Sequence, residues 1–259
     1  MNILHFSDLH GKLPQIPKKY HGTDIVIVLS GDICDNFPNH WIPCIKQWPN
    51  ITPSTWNGFW NFRQIDGVEE GRLQDEWVET KLVPHLKNCH ISFDNVIVVN
   101  GNHDWCHFDK WFPNSLHTGS RTILFRSVKI GLLVGVPNFT GEWFEEIGPV
   151  EMDKRIKALD PDIEILVSHT PPYSILDRGH GESNIGSQEL YVALFGRSVF
   201  DVQEPYFNKL KLNLFGHAHD ARGAKHFEFG ERKLKCYNAS QTRFEIEYSL
   251  DINPSPVVE

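Results

Sequence analysis

Short apolar segments, each followed by polar residues, recur along the chain. Five of them are rich in Val, Ile, Leu and Phe and have the length of buried strands. These are Ile3–Phe6, Ile25–Leu29, Val96–Val99, Ile163–Val167 and Leu212–Phe215. Further strands are predicted at Val128–Val136, Leu234–Tyr237 and Phe244–Leu250, and a helix at Leu73–Leu86, despite Pro84. Strands that alternate with helical or irregular connections predict an α/β fold.

Polar residues that could bind a metal ion or take part in catalysis directly follow each of the five main strands. They are Asp8 and His10, then Asp32, then Asn102, His103 and Asp104, then His169, and finally His217 and His219. In an open α/β sheet the ligand crevice lies outside the carboxyl ends of the strands. We therefore expect these five strand ends to converge on one site.

The first two strand ends offer oxygen and nitrogen ligands. Asp8 and His10 are two residues apart, so a turn can bring both onto one cation, although an isolated Asp-x-His is more often a capping Asp beside a surface His. Asp32 follows Gly31, which allows a tight turn, and the two oxygens of a carboxylate can bridge two cations. Asp35 either orients neighbouring groups or caps the next turn.

The Asn102-His103-Asp104 triplet combines a ligand with an acid-base group. A neutral amide oxygen such as that of Asn102 can bind a cation, and His103 offers a titratable imidazole. We interpret His103 as a proton donor and Asp104 as the carboxylate that favours its imidazolium form and fixes its tautomer. The alternative is a Gly-Asn turn whose polar groups only satisfy the backbone.

Three later histidines complete the set of candidate ligands. His169 ends an apolar strand and precedes Thr170-Pro171-Pro172, which cannot continue a regular ladder. A single His there is more often a structural residue. His217 and His219 flank a small Ala218, and this i, i+2 pair faces one side of an extended or turning backbone. The joint pattern at five strand ends favours a metal centre over five separate structural roles.

Composition and charge argue against several classes of protein and of binding partner. The net charge of −8 argues against a sequence-independent grip on nucleic acid, which needs clustered Lys and Arg, whereas a small phosphate ester remains compatible. The five cysteines form no CxxC pair, which suits a reducing compartment. The longest apolar run, Ile25–Leu29, is far below the roughly 20 residues of a membrane span. With no signal peptide before the first strand, we expect a cytoplasmic protein.

The motifs, in this order, resemble the full signature of the calcineurin-like metallophosphoesterases. The residues that carry the resemblance are Asp8-x-His10, Gly31-Asp32-x-x-Asp35, Gly101-Asn102-His103-Asp104, His169 and Gly216-His217-x-His219. A looser resemblance links the chain to the metallophosphoesterase domain-containing, or class III cyclic nucleotide phosphodiesterase, branch. It is carried by Ser168–Pro172, Leu176-Asp177, Gly186-Ser187 and Asn238–Ser240.

The resemblance implies a fold and a division of ligands. The fold is a two-sheet β-sandwich flanked by helices, in four layers, and residues 1–259 would form a single domain. One metal would be held by Asp8, His10, Asp32 and His219, and the other by Asp32, Asn102, His169 and His217. We favour manganese, while iron, zinc or nickel also suits this mixed nitrogen and oxygen set.

These inferences predict a binuclear metal-dependent hydrolase of phosphate esters. We expect a phosphodiesterase or phosphomonoesterase on small nucleotide-type substrates, with His103, Asp104 and Asn102 as catalytic residues. An excursion at about 37–62 carries Trp41, Trp48, Trp56 and Trp60, and it either packs onto its own core, which we favour, or roofs the pocket and stacks a nucleobase. The alternatives are a nuclease on DNA or RNA and a non-catalytic scaffold. The oligomeric state stays open.

Overall fold

The computed structural model describes residues 1–37, 66–138, 143–179, 183–196, 204–229 and 232–249, with the backbone of 42–43 and 63–64. The aromatic-rich excursion predicted at 37–62 therefore lies almost entirely outside the described residues. Within the described part of the chain, no helix is long and apolar enough to cross a membrane.

The strands and helices follow one another along the chain in a mixed order. The strands are β1 (Asn2–Phe6), β2 (Val26–Ser30), β3 (Ile42–Pro43), β4 (Arg63–Gln64), β5 (Val96–Val99), β6 (Asn114–Leu116), β7 (Ser120–Phe125), β8 (Val128–Leu133), β9 (Val136–Pro137), β10 (Glu146–Ile147), β11 (Ile165–Ser168), β12 (Leu212–Phe215), β13 (Gly223–Phe229), β14 (Arg232–Asn238) and β15 (Arg243–Glu247). The α-helices are α1 (Gly67–Trp77), α2 (Val83–Asn88), α3 (Pro149–Lys157) and α4 (Gln188–Phe195). All eight predicted strands are present, β5 and β12 with the predicted ends and the other six with shifted ends, and the predicted helix is divided between α1, a π-helical turn and α2.

Two larger sheets carry most of the strands. The first has the order β15-β1-β2-β5-β6, in which β1, β2, β5 and β6 are parallel and β15 is antiparallel to β1. The second has the order β13-β14-β12-β11-β8-β7, in which the four central strands are parallel and each edge strand is antiparallel to its neighbour. In each sheet, the carboxyl ends of the parallel strands therefore lie at one edge.

The two sheets face each other across an apolar core. Alternate residues of β2 and β5, such as Val28 and Val99, pack with Leu132, Val167 and Leu214 of the second sheet. All five side chains are almost completely buried. Strands covered on both faces are apolar throughout because neither face is exposed to water. Burial of this kind stabilises the fold by roughly 25 cal/mol for each Å² of apolar surface removed from water.

Helices cover the outer face of each sheet and complete four layers. α1 and α2 pack on the first sheet and α3 and α4 on the second. The buried residues of the first outer core include Leu4, Leu29, Val78, Leu82, Leu86 and Val98. Those of the second include Met152, Ile156, Leu166, Leu190, Leu194 and Leu234. The predicted fold class is confirmed, because two facing sheets are flanked by helices on both sides.

The predicted helix at Leu73–Leu86 is longer than its apolar pattern indicated. It begins at Gly67, where the Asp66 side chain accepts hydrogen bonds from the amides of Val68 and Glu69 and so caps the first turn. A π-helical turn, Val78–Leu82, joins α1 to α2. Pro84 lies in the first turn of α2. The wider turn just before Pro84 accommodates a residue that has no amide hydrogen to donate.

Candidate metal centre

The loops after five parallel strands bring the predicted site residues together. β1, β2 and β5 of the first sheet and β11 and β12 of the second all end at this edge. Backbone hydrogen bonds join the loops: the Asp8 amide donates to the Gly31 carbonyl at 3.0 Å, and the His10 amide donates to that of Asp32 at 3.0 Å. The Gly216 amide likewise donates to the His169 carbonyl at 3.1 Å. The His217 amide, from the second sheet, also donates to Asp8 Oδ2 at 3.0 Å, so the two sheets share one cluster of polar side chains.

Four of the predicted ligands have a left-handed backbone, which is uncommon for residues other than glycine. Their φ angles are 54° at Asp8, 43° at His10, 53° at Asp32 and 69° at His217. Such conformations cost on the order of 1–3 kcal/mol each and persist where the surrounding structure imposes them. The turns after β1, β2 and β12 therefore direct these four side chains into the cluster, and the unfavourable backbone conformation lowers the stability of the fold.

One group of ligand atoms consists of Asp8, His10 and His219. Asp8 Oδ1 lies 2.9 Å from His219 Nε2, and the Nε2 atoms of His10 and His219 lie 3.3 Å apart. The candidate ligand atoms of the three residues all lie within 4.8 Å of one another. This oxygen and nitrogen donor set fits a divalent transition-metal ion.

A second group consists of Asp32, His169 and His217, again with ligand atoms within 4.8 Å of one another. His169 Nδ1 donates to the Ser30 carbonyl at 2.8 Å, which directs Nε2 at the candidate ligand atoms. Burial opposes the charged ring, but the charge and hydrogen bond of Asp32 outweigh it and raise the pKa of His169 to about 9, so a metal ion would displace a proton from Nε2. His169 Nε2 lies 3.3 Å from Asp32 Oδ2 and 3.2 Å from Asn102 Oδ1. Asn102 therefore joins this second group.

Asp32 links the two groups. It also forms a cluster of the same dimensions with His10 and His103, so its carboxylate lies between the ligand atoms of the first and second groups. The seven predicted ligands thus form one continuous set of oxygen and nitrogen atoms. The set fits two cations that share a carboxylate.

The two buried carboxylates are held in the ionised form that metal binding requires. Burial opposes ionisation of Asp8, but the hydrogen bond with His219 and the charge of His169 outweigh it and lower its pKa. For Asp32, burial is likewise outweighed by the charges of His169 and His103, and its pKa is well below the usual range. Burial lowers the pKa of His217 to about 3, which keeps its imidazole neutral.

Neighbouring groups orient the two carboxylates. Asp8 Oδ2 accepts from the Ser240 hydroxyl at 2.9 Å and from the His217 amide at 3.0 Å. Asp32 Oδ1 accepts from the His103 amide at 2.8 Å. Ser240 belongs to the Asn238–Ser240 motif of the looser resemblance, but the sequence alone assigned it no role, and the structure shows that it orients Asp8.

Two glycines allow the loops to approach the carboxylates closely. A Cβ atom at Gly101 would lie 2.1 Å from Asp32 Oδ1, and one at Gly216 would lie 2.3 Å from Asp8 Oδ2. Both distances are far below van der Waals contact, so a side chain at either position would displace a carboxylate. The glycines in the two motifs are therefore required by geometry.

The structure places Asp104 differently from the sequence-based interpretation. Its carboxylate is buried and accepts from the amides of Ile33, Cys34 and Gly101 at 2.9 to 3.2 Å. Burial, with the nearby charge of Asp32, raises the pKa of Asp104 to about 7. Asp104 thus ties the loop after β5 to the loop after β2, and it is Asn36 whose Oδ1 contacts His103 Nδ1. The prediction that Asp104 fixes the His103 tautomer is wrong.

His103 borders a cleft of about 580 Å³ that opens beside the ligand groups. Its Nε2 lies 3.9 Å from Asp32 Oδ2, and its ring packs against Trp143 at a centroid distance of 4.1 Å. Burial lowers the pKa of His103. Pro137, Trp143 and Ile185 give the cleft an apolar wall, and among the described residues no Lys or Arg lines it.

Comparison with known proteins agrees with this geometry. The family model described as calcineurin-like phosphoesterase matches residues 1–221. The chain belongs to the calcineurin-like phosphoesterase family. The family is binuclear and metal-dependent, and this chain has groups of Asp and His side chains that could bind metal ions. No curated protein matches the chain.

Several solved structures resemble this calcineurin-like phosphoesterase at low sequence identity. A 5'-nucleotidase precursor from Thermus thermophilus is 10% identical with a TM-score of 0.42, over 92% of this chain and 48% of its own. The NAD nucleotidase NadN from Haemophilus influenzae is 12% identical with a TM-score of 0.42, over 93% and 45% of the two chains. The chain thus spans about half the length of these structures.

Proposed function

We propose that this phosphoesterase hydrolyses phosphate esters of small, nucleotide-type molecules at a two-metal centre. The observation that carries the proposal is the pair of ligand groups that Asp32 links beside His103. One metal would bind Asp8, His10, Asp32 and His219, and the other Asp32, Asn102, His169 and His217. Manganese is our first choice for both positions, with iron, zinc or nickel as further candidates.

The chain's own residues divide the chemistry between them. Two divalent cations, when bound, lower the pKa of a water molecule and neutralise phosphate oxygens for in-line displacement. Asp32 would hold the two metal positions at a fixed separation. Asn102 would bind one of the cations and would also orient the ester. His103, at the border of the cleft, would deliver a proton from Nε2 of its imidazolium form to the leaving oxygen, and its lowered pKa makes that form a stronger acid.

The lining of the cleft favours a small substrate. A volume of about 580 Å³ suits a nucleotide-sized molecule, and the wall formed by Pro137, Trp143 and Ile185 suits its base or another apolar part. Because no Lys or Arg among the described residues lines the cleft, the charge of the phosphate would be neutralised mainly by the cations. The net charge of −8 argues against a long nucleic acid.

A substrate panel tests this proposal. Cyclic nucleotides, nucleoside monophosphates, bis(p-nitrophenyl) phosphate and p-nitrophenyl phosphate would be assayed with Mn²⁺, Zn²⁺, Ni²⁺ and Fe²⁺, next to single-stranded and double-stranded DNA and RNA. We expect hydrolysis of at least one small ester that chelation abolishes. Preferential, salt-sensitive cleavage of DNA or RNA would identify a nuclease instead, and a protein that takes up none of the four metals and hydrolyses no ester in their presence would favour a scaffold.

A further inference from the structure

His103 makes a short hydrogen bond that the sequence motif does not contain. Its Nδ1 contacts Oδ1 of Asn36, which lies in the loop after β2. The orientation of the Asn36 amide is fixed by its other partners, because Nδ2 lies 3.3 Å from Glu70 Oε1 and 3.4 Å from the His103 carbonyl, and both can only accept. Asn36 Oδ1 is therefore the acceptor, and His103 Nδ1 must carry a hydrogen.

This contact determines which ring nitrogen faces the centre. With Nδ1 donating to Asn36, Nε2 is the nitrogen that gains or loses the exchangeable proton. Nε2 is also the atom on the side of Asp32, at 3.9 Å from Oδ2. A neutral amide orients the imidazole without adding a negative charge, in contrast to the carboxylate that the sequence analysis expected at Asp104.

Glu70 holds Asn36 from the helix α1. The Glu70 side chain is fully buried, and its Oε1 accepts from the Phe37 amide at 2.8 Å as well as from Asn36 Nδ2. A buried carboxylate is costly unless it is hydrogen-bonded, and here Oε1 is paired while Oε2 has no hydrogen-bond partner among the described residues. Its two hydrogen bonds both fix the segment that presents the amide to His103.

Gln74 lies one helical turn after Glu70 and forms hydrogen bonds with the loop after β5, which carries His103. Its Nε2 donates to the His103 carbonyl at 2.7 Å and to the Asp35 carbonyl at 3.2 Å, while its Oε1 accepts from the Trp105 amide at 2.7 Å. Residues four apart on a helix lie on one face, so α1 presents Glu70 and Gln74 together. One buried face of α1 thus holds both partners of the Asn36–His103 hydrogen bond.

We propose that Asn36 is a positioning residue for His103 and that Glu70, on α1, holds Asn36 in place. The Asn36 amide keeps a hydrogen on Nδ1 and directs Nε2 at the leaving oxygen of the ester. This proposal rests on the proposed function, since it assigns Asn36 and Glu70 to the same proton transfer.

The test compares variants that keep the acceptor with variants that remove it. Asn36→Leu and Glu70→Leu remove the hydrogen bonds, whereas Glu70→Gln keeps an acceptor oxygen for the Asn36 amide. Asn114→Leu is the matched control, because Asn114 begins β6 at the opposite edge of the sheet and donates to the Asp94 carbonyl. Each protein is loaded with Mn²⁺, and its metal content is measured.

The kinetic readout is the dependence on the leaving group. Asn36→Leu should lower kcat about 100-fold for an alkyl or nucleoside leaving group, which needs a proton, but only a few-fold for p-nitrophenolate, which does not. KM and metal content should stay near wild type, and Glu70→Gln should keep most of the kcat that Glu70→Leu loses. An equal loss for both leaving groups, or a loss of metal, would overturn the proposal in favour of a purely structural role.

A spectroscopic readout does not depend on activity. In the Zn²⁺-loaded protein, ¹⁵N-¹H NMR of the imidazole should show His103 with hydrogen on Nδ1, and the Asn36→Leu variant should lose this signature while Asn114→Leu keeps it. An unchanged His103 spectrum in Asn36→Leu would refute the positioning role. If the NMR result holds but no ester is hydrolysed, the proposed function fails and the orientation of His103 by Asn36 stands.

Discussion

Gly216 is the residue whose replacement tests the geometry of the centre most selectively. It follows β12, and a Cβ atom there would lie 1.8 Å from Ser7 Oγ and 2.3 Å from Asp8 Oδ2. Gly216→Ala introduces only one methyl group, and it leaves every predicted ligand in the sequence. Any effect on metal or activity must therefore come from displacement of Asp8 and Ser7.

The expected displacement follows from these distances. Ordinary contact with a Cβ atom begins at 3.4 Å, so Asp8 Oδ2 must retreat by about 1.1 Å. A misplacement of about 1 Å in a catalytic group costs on the order of 10²-fold in rate. The same movement breaks the hydrogen bonds from Ser240 and the His217 amide, which orient the Asp8 carboxylate. We expect kcat to fall about 100-fold and one metal to bind more weakly.

The assay measures hydrolysis of the best ester of the panel together with metal content by elemental analysis. Gly148→Ala is the matched control, since Gly148 has nothing within 4 Å of its Cβ position and a φ of −74° that alanine adopts readily. The control should keep wild-type kcat and metal. Wild-type activity with two tightly bound metals in Gly216→Ala would refute the argument that Asp8 is held in place by close packing.

Three further predictions follow from single residues. His103→Ala should lower kcat by about 10²- to 10⁴-fold at unchanged metal content, and full activity in the metal-loaded variant would exclude His103 as the proton donor. Trp143→Ala should raise KM for a nucleoside ester about tenfold but leave KM for methyl phosphate unchanged; equal effects would remove Trp143 from the substrate wall. Burial lowers the pKa of His5 from 6.5 to about 3, so the stability contributed by neutral His5 above pH 6.5 is lost as pH falls towards 3. In urea unfolding, the stability advantage of wild type over His5→Gln should shrink by about 1.4 kcal/mol per pH unit between pH 6 and 4, and a constant difference would contradict this assignment.

The strands and their polar ends were predictable from the sequence because the signal is local. A strand buried on both faces is a short apolar run, and β2 and β5 have this form without interruption. β7 and β13 escaped prediction because they are edge strands with mixed exposure, and their register depends on the neighbours β8 and β14. Their positions are set by pairing, which a local pattern does not carry.

The residues that hold the ligand loops and His103 in place were less predictable from the sequence than the candidate ligands themselves. Asp104 follows His103 directly, yet the turn after β5 sends its carboxylate to the amides of Ile33 and Cys34 in another loop. Asn36 and Glu70 reach His103 through contacts that span 34 and 67 residues of sequence. Adjacency in sequence suggested Asp104 as the partner of His103. In the structure the partner is Asn36 from the loop after β2, which α1 holds in place through Glu70.

The central claim is that Asp32 joins two groups of ligands into one two-metal centre. The most direct measurement is a titration of the chelator-treated protein with Mn²⁺, in which bound metal and hydrolysis of a small phosphate ester are followed together. The account predicts two metal ions per chain, with activity that returns as the second ion binds and that is lost, together with the second ion, in Asp32→Ala. Binding of a single ion with full activity, or full activity in the chelated protein, would contradict it.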